Sequence, residues 1–467
     1  MRAREGRQVV IVPGRARALS APPDHTHEPP TARAFLLVAV PARSRRPELP
    51  LGYFVGVIGS PHAAHPVAGV PVDPADGAPV VGMIGGGQLA RMTAEAATAL
   101  GVGFRVLAGG PRESAALVVR DTWLGSHDDP HVVASFAAGC DVVTFDHEHV
   151  PADCLAAMQA QGTVIRPGPG ALLHARDKHH MRAALSDLAG ADGIAGTGVT
   201  CPAWTVVADA TEVATFAAVH GWPVVLKVSR GGYDGRGVWV VTSEQEADRV
   251  LQSAMPGAPG AVMLAEAFVP FDEELAAQVA RSPSGQAVAY PIVRTRQVDG
   301  ICSEVIAPAP GLPEGVAVRA QEAALRIAQA LDVTGMLAVE LFRAGEDLIV
   351  NELAMRPHNS GHWTIDGAVT SQFENHLRAV LDLPLGDPRQ RAPYAVMVNV
   401  LGTDVPGLYS GFRHVLARDP AIKVHLYGKE VRPGRKLGHV TLVGADWQDL
   451  LARGRHAADY LSGIIDE

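Results

Sequence analysis

The sequence predicts a mixed chain, α/β at its start and α+β beyond, with a doubly wound parallel sheet first and a small β-rich domain last. Three observations carry this. Strand, glycine turn and helix follow one another from Pro79. A second glycine-rich loop lies between two apolar strands after Lys227. Two further apolar strands flank a tight turn near Glu346, and each holds one glutamate. With 467 residues, 47% of them hydrophobic, the chain can bury several cores, so three or more structural units are expected.

Residues 1–77 are rich in Arg, Pro, Ala and His without sustained periodicity, and are expected to be disordered. Glu5 and Asp24 interrupt the basic character a targeting peptide needs, so an over-long translation start is the expected explanation. Order is expected to begin at Pro79-Val-Val-Gly-Met-Ile84, which runs into Gly85-Gly-Gly-Gln-Leu89 and a helix through Leu100. Strands at 104–107, 122–124 and 141–145 alternate with helices near 130–138 and 151–161, the pattern of a parallel sheet. From Thr200 the order becomes strand, helix, strand, glycine loop, strand. A third region carries long strands, a helix at 314–331 and a hairpin turning at 344–347. The last 75 residues alternate short strands with Gly and Pro and close with a helix at 447–461.

Composition excludes several classes. A formal charge of -9 argues against nucleic acid as a partner, because phosphate tracking needs a basic stripe. The four cysteines, Cys140, Cys154, Cys201 and Cys302, form no CxxC pair, which disfavours zinc or a disulfide framework and fits a reducing cytoplasmic setting. No apolar stretch reaches the roughly 18–20 residues of a membrane span. Lysine is scarce: Lys178, Lys227, Lys423, Lys429 and Lys436 are the only five. Each is therefore a candidate point charge for phosphate, against the alternative of a solvated face.

The first glycine cluster can hold a phosphate on helix amides. A dinucleotide site would place an acid about 20 residues on, but the second strand ends Leu107-Ala-Gly-Gly110, so a substrate phosphate is the better reading. The second cluster, Arg230-Gly-Gly-Tyr-Asp-Gly-Arg-Gly237, follows Val224-Val-Leu-Lys227 and lacks the P-loop order. Its glycines let backbone amides approach phosphates while Lys227 reaches them from the strand; a plain surface hairpin is the alternative. Glu266 to Val269 can offer backbone groups to an adenine edge, and Glu274 can accept ribose hydroxyls, although acids in loops are commonly just solvated.

The hairpin supplies the geometric argument. A turn centred near Glu346 sets Glu340 and Glu352 opposite or nearly opposite each other, with β-carbons on the order of 5 Å apart. Two anions so placed repel unless a cation lies between them, and magnesium favours carboxylates together with phosphate oxygens. Separately solvated or Arg-paired glutamates are the alternative. The polar run Arg356-Pro-His-Asn-Ser-Gly-His-Trp363 follows at once, and Arg356, His358 and Asn359 can orient an anion beside the phosphates. His358 bonded to a backbone carbonyl in a structural role is the other reading. Lys429, Arg435 and Lys436 form a basic cluster open to a phosphate or to solvent.

Together these motifs resemble the ATP-grasp superfamily, and their wording resembles its 5-(carboxyamino)imidazole ribonucleotide synthase family. The matching phrases are the first glycine cluster, Thr144-Phe-Asp-His-Glu-His-Val150, Gly231 to Gly237, Arg356 to Trp363, Ser371-Gln-Phe-Glu-Asn-His376 and Gly434-Arg-Lys-Leu-Gly-His439, spanning about residues 80–445. Asp146 stands where glutamate is frequent, Met355 where proline is usual, and residues 1–77 have no counterpart. The resemblance implies an ATP-grasp fold with an α/β domain over 78–195, a small lobe over 196–270, a large lobe over 271–392 and a C-terminal domain over 393–467. It implies ATP contacts from Lys178, Lys227, Gly232, Tyr233, Asp234, Gly235, Arg236, Gly237, Val238, Glu266, Ala267, Phe268, Val269, Glu274, Asn351 and Glu352, with Mg2+ on Glu340 and Glu352. It implies 5-aminoimidazole ribonucleotide on Gln88, Leu89, Glu148, Tyr233, Asp234, Arg236, Lys429 and Arg435. Bicarbonate, or carbon dioxide derived from it, would lie among Arg356, His358, Asn359 and Lys429. Asp234 would orient or deprotonate the amine, and a homodimer is expected.

Overall fold

The computed structural model describes residues 10–11, 77–232, 236–253, 260–405 and 407–466. The strand Val80–Ile84 is apolar and buried along its whole length, as a central parallel strand covered on both faces must be. It pairs in parallel with Gly103–Ala108 on one side and Val142–Phe145 on the other, and Asp121–Leu124 adds the outer edge. The chain therefore switches direction of winding between Val80–Ile84 and Val142–Phe145. In open α/β sheets the crevice at the carboxyl ends of such strands is where ligands bind. The loops that meet there are Gly85 to Gly87, opening the helix Gln88–Leu100, and Asp146 to Val150.

A helix, Lys178–Leu188, leads into a four-stranded antiparallel sheet ordered Val238–Val241, Val224–Val228, Met263–Ala267, Trp204–Val207. Before reaching it, the chain lays Val199–Thr200 in parallel beside Asp347–Ala354.

The largest sheet has eleven strands. Its centre is Glu273–Arg281 between Val293–Val298 and Gly335–Ala344, the latter turning through Gly345 and Glu346 into Asp347–Ala354. One face is apolar: Leu275, Ala277, Val279, Leu337, Val339, Leu341, Leu348, Val350 and Leu353 pack with the helix Glu314–Ala330. Burying each such leucine contributes roughly 2 kcal/mol. Glu274, Ala276 and Gln278 alternate with those residues on the other face, and Glu340 joins them by pairing with Ala276.

At the C-terminal end, Tyr394–Leu401 pairs with Ile301–Ala307 and leads on to Lys436–Gly444 and Lys423–Leu426. No sheet edge thus separates residues 393–467 from the large lobe; the β-rich end extends the same sheet. Within the segment expected to be disordered, Val10–Ile11 forms a two-residue strand parallel to Ala287–Val288. The rest of residues 1–76 lies outside the described residues. Among the described residues no helix is long and apolar enough to cross a membrane.

Candidate active site

Glu340 and Glu352 are directly paired across the hairpin, as the turn position required. The register slips immediately beyond, so that Leu341 pairs with Val350 and Asn351 is the extra residue. In a regular strand Asn351 and Glu352 would point to opposite faces. The bulge re-aims them, and both side chains face the polar side while Val350 and Leu353 stay in the core. The signal was present in the sequence: apolar positions 348, 350 and 353 break the period of two once, at this place.

Two lysines reach this bulge from different elements. Lys178 Nζ, from the first turn of its helix, donates to Glu352 Oε1 at 2.7 Å. Burial would raise the Glu352 carboxyl, but Lys178, Lys227 and Arg182 outweigh it and hold it low. Lys227 Nζ lies 3.2 Å from Asn351 Oδ1 and 2.8 Å from Glu266 Oε2. Glu266 is buried and also takes two bonds from Arg182, Nε at 2.7 Å and Nη2 at 3.1 Å. Against burial, these cations hold Glu266 at about 2.

Arg182 was absent from the sequence reading. It is completely buried, and its remaining donors go to the carbonyls of Val350 at 3.0 Å and Asn351 at 2.8 Å. One guanidinium thus ties the small sheet, through Glu266, to the backbone of the bulge. The four-residue spacing from Lys178 to Arg182, which puts both on one helix face, was the available clue. Glu266 consequently uses its side chain to place Lys227, and only its backbone is left for a nucleotide.

Glu340 has no lysine bonded to it. Burial, then Glu352 and Glu274, push its carboxyl up to about 7. A half-buried acid facing a second carboxylate, with hard oxygen donors only, has the chemistry of a magnesium site. Glu274 lies on the same face, and burial raises its carboxyl too. Phe271, which follows the linking residues Ala267, Phe268 and Val269, stacks on Phe342 with centroids 4.4 Å apart, an apolar pair given no role from the sequence.

Of the second glycine loop, Gly232, Arg236, Gly237 and Val238 are described, whereas Tyr233, Asp234 and Gly235 lie outside the described residues. Gly237 adopts φ +76°, and a β-carbon there would come 2.5 Å from Val228 Cγ2, so the close return of the loop needs glycine.

The polar run supplies the opposite wall. Arg356 Nε is 2.8 Å from Glu148 Oε1, joining the large lobe to the parallel-sheet domain. His358 Nε2 is 3.6 Å from Glu340 Oε1. Asn359 Nδ2 is buried without a hydrogen bond of good geometry, and the group acting with its side chain is the Cys302 thiol. The run is not all chemistry, however. Trp363 is fully buried in the core beside Tyr290, and Gln372 clamps the turn by accepting from His358 N at 2.9 Å and donating to His358 O at 2.8 Å.

At the switch point, Lys429 Nζ donates to Gln88 Oε1. Asp146 takes the amides of Gly87 at 2.6 Å and Ala90 at 3.3 Å, with those of Gln88 and Leu89 lying between them. A carboxylate of the protein thus occupies part of the amide cradle expected for a phosphate. Arg435 Nη1 donates to the carbonyl of Glu430 at 3.3 Å, on the rim. Lys436, read from the sequence as part of a basic cluster open to phosphate or solvent, acts electrostatically on both Glu340 and His358.

Three family models match in sequence order. They are a ribonucleotide synthetase preATP-grasp domain over residues 79–176, an ATP-grasp domain over 193–373, and a phosphoribosylaminoimidazole carboxylase C-terminal domain over 395–453. N5-carboxyaminoimidazole ribonucleotide synthase of Mycobacterium tuberculosis is 50% identical over 389 residues, covering 82% of this chain and 88% of that protein. The crystal structure of N5-carboxyaminoimidazole ribonucleotide synthetase from Thermus thermophilus is 37% identical, with a TM-score of 0.71, covering 83% of this chain and 99% of that one. The Aspergillus clavatus N5-carboxyaminoimidazole synthase, solved with ADP and 5-aminoimidazole ribonucleotide, is 29% identical with a TM-score of 0.73 over 83% of this chain and 99% of that one.

Proposed function

The chain belongs to the N5-carboxyaminoimidazole ribonucleotide synthase family of ATP-grasp ligases, and from that premise we propose how its own residues divide the reaction. The enzyme is an ATP-dependent carbon–nitrogen ligase of purine biosynthesis that converts 5-aminoimidazole ribonucleotide to its N5-carboxy derivative. Bicarbonate is the proposed carbon source.

One observation carries the assignment of roles. A single sheet face presents Glu340 and Glu352 with Lys178 beside them and Lys227 on the neighbouring Asn351, and with His358 on the far side of Glu340. Lys178, Lys227 and the amides of the second glycine loop are assigned to the ATP phosphates, and Glu274 to the ribose. Glu340 and Glu352 would hold Mg2+, which when bound offsets phosphate charge. An oxygen of bicarbonate attacks the γ-phosphorus as the bond to the bridging oxygen breaks and ADP leaves, giving carboxyphosphate. Arg356, His358 and Asn359 hold this anion, Asn359 Nδ2 being a buried donor whose neighbouring group is the weakly accepting Cys302 thiol. The exocyclic amine then forms the new bond to carbon while phosphate departs, or attacks carbon dioxide released from carboxyphosphate. Asp234 is the proposed acceptor of its proton. Gln88, Leu89, Glu148, Tyr233, Arg236, Lys429 and Arg435 are assigned to the ribonucleotide.

Free thiols at Cys140, Cys154, Cys201 and Cys302 support a reducing cytoplasm. A homodimer is proposed because two-fold dimers are the commonest closed assemblies; light scattering at two concentrations tests it. Incubation with labelled bicarbonate, ATP, Mg2+ and 5-aminoimidazole ribonucleotide should give a labelled ribonucleotide matched by ADP. ADP without labelled product would end the proposal for the carbon source.

A further inference from the structure

We infer that Gln278 and Ser360 are positioning residues that fix the ring tautomer of His358, so that it donates a hydrogen bond to the anion beside Glu340 and does not accept a proton. The inference deepens the reading of His358 given above and rests on it.

Gln278 sits on the polar face of Glu273–Arg281 between Ala276 and Ala280, two residues from the position paired with Glu340. It is buried, as is Ser360. Gln278 Nε2 donates to Ser360 Oγ at 2.6 Å, and Ser360 Oγ lies 2.8 Å from His358 Nδ1. A hydroxyl that accepts from an amide keeps its own proton free to be donated to Nδ1, and the direction is decided by the second contact of that nitrogen. The backbone amide of Ser360 points at the same nitrogen at 3.4 Å, with His358 capping the short turn Asn359–Gly361. An amide hydrogen cannot be reversed. Nδ1 must therefore present a lone pair, which places the ring proton on Nε2.

The other orientation of Gln278 would bring its oxygen to Ser360 and draw the hydroxyl proton away. Nδ1 would then have to carry hydrogen against the Ser360 amide. As oriented, Gln278 Oε1 is buried without a hydrogen-bond partner, which an apolar side chain between two alanines would avoid. The carboxamide is thus explained by the bond it makes to Ser360. At the far side of the ring, Nε2 is 3.6 Å from Glu340 Oε1, too long for a hydrogen bond. The Nε2 hydrogen is left for an oxygen arriving between the ring and the carboxylate. A donor in that place stabilises negative charge on carboxyphosphate, and the amine proton must leave by another group.

The test uses the full-length enzyme with its histidine ring nitrogens isotopically labelled, the His358 signals being assigned by their loss in His358→Gln. Wild type should show Nδ1 unprotonated and Nε2 protonated. Ser360→Ala and Gln278→Met should shift the ring toward a mixture of tautomers. Product formed per ADP should fall roughly tenfold, the scale seen when an orienting partner of a functional histidine is removed, with KM for ATP unchanged. Ser360→Thr should restore both readings. Protonated Nδ1 in wild type, or an unshifted tautomer in both variants, overturns the inference. His358→Ala keeping product matched to ADP would instead remove the parent reading of His358, while the tautomer spectrum still decides whether the relay exists. Should Ser360→Ala not fold, Gln278→Met carries the same comparison.

Discussion

Asp146 receives the amides of Gly87 and Ala90, as an acid at a helix N-terminus should, yet burial pushes its carboxyl up to about 6 from an ordinary 3.8. The folded protein therefore holds this proton more tightly than the unfolded chain. The sign follows from linkage: the carboxylate adds no penalty below pH about 4, an increasing one between about 4 and 6, and a constant one above. Two pKa units correspond to about 3 kcal/mol. Asn keeps an oxygen for Gly87 while removing the charge. Asp146→Asn should match wild type near pH 4 and exceed it at pH 7.5, read as urea midpoints at the two pH values. A variant less stable at pH 7.5 would contradict this. Glu340→Gln and Glu352→Gln act on chemistry instead: each should lower ADP release at ordinary magnesium by about a hundredfold or more. Glu340→Gln should not lower the melting temperature, since it relieves a half-buried carboxylate repelled by Glu352 and Glu274. Full turnover in both variants would end the metal assignment.

The hairpin shows what a local pattern can and cannot convey. Turn length and two apolar strands were enough to face Glu340 with Glu352, because register in a tight hairpin is set by the turn. The bulge beside them was not read, although the broken period at 348, 350 and 353 encodes it. Arg182 was illegible for a different reason. An arginine on an amphipathic helix looks solvated, and its partner, Glu266, is 84 residues away in sequence. In the polar run 356–363 only Arg356, His358 and Asn359 were read as chemistry, and what the sequence did not convey is that Trp363 and the Gln372 clamp serve packing. Arg182→Met should therefore be severe: it leaves Glu266 buried with Lys227 alone and frees two carbonyls of the bulge. Breaking such a pair costs roughly 3–5 kcal/mol. Melting curves should show that loss, and ATP affinity should fall with it because Lys227 and Asn351 are no longer held. Wild-type melting in Arg182→Met would make the buried guanidinium incidental.

Across the whole molecule, the parallel-sheet domain packs on the helix Gln372–Val380 and its neighbours through an apolar seam. Val81, Ala97 and Val142 lie against Leu377 and Val380, and Leu89 and Met92 against Phe373 and Tyr427. Polar ties join the domain to the rest of the chain beside that seam. Gln88 bonds Lys429, Ser114 Oγ donates to the carbonyl of Tyr427 at 2.5 Å, Glu148 pairs with Arg356, and Thr144 Oγ1 lies 2.8 Å from His376 Nε2. The proposed ribonucleotide residues are among these ties, whereas Lys178, Lys227 and Glu352 belong to the other cleft. Domain docking should thus govern one substrate more than the other. Thr144 and His376 test this without touching an assigned substrate residue. His376 Nδ1 accepts from Met336 N at 3.2 Å, so its proton lies on Nε2 and is donated to Thr144. Burial lowers the ring to about 3, which keeps it neutral. Because the folded value lies below the unfolded one, this contribution is complete above pH about 6.5 and declines as pH falls toward 3. Thr144→Val keeps the shape and leaves that N–H buried without its acceptor, at a cost of about 1–3 kcal/mol. Melting temperature should drop, and KM for 5-aminoimidazole ribonucleotide should rise several-fold while KM for ATP holds. Equal changes in both KM values would mean that the two clefts are not separately supported, and an unchanged melting temperature would mean that the Thr144–His376 bond does not secure the domain.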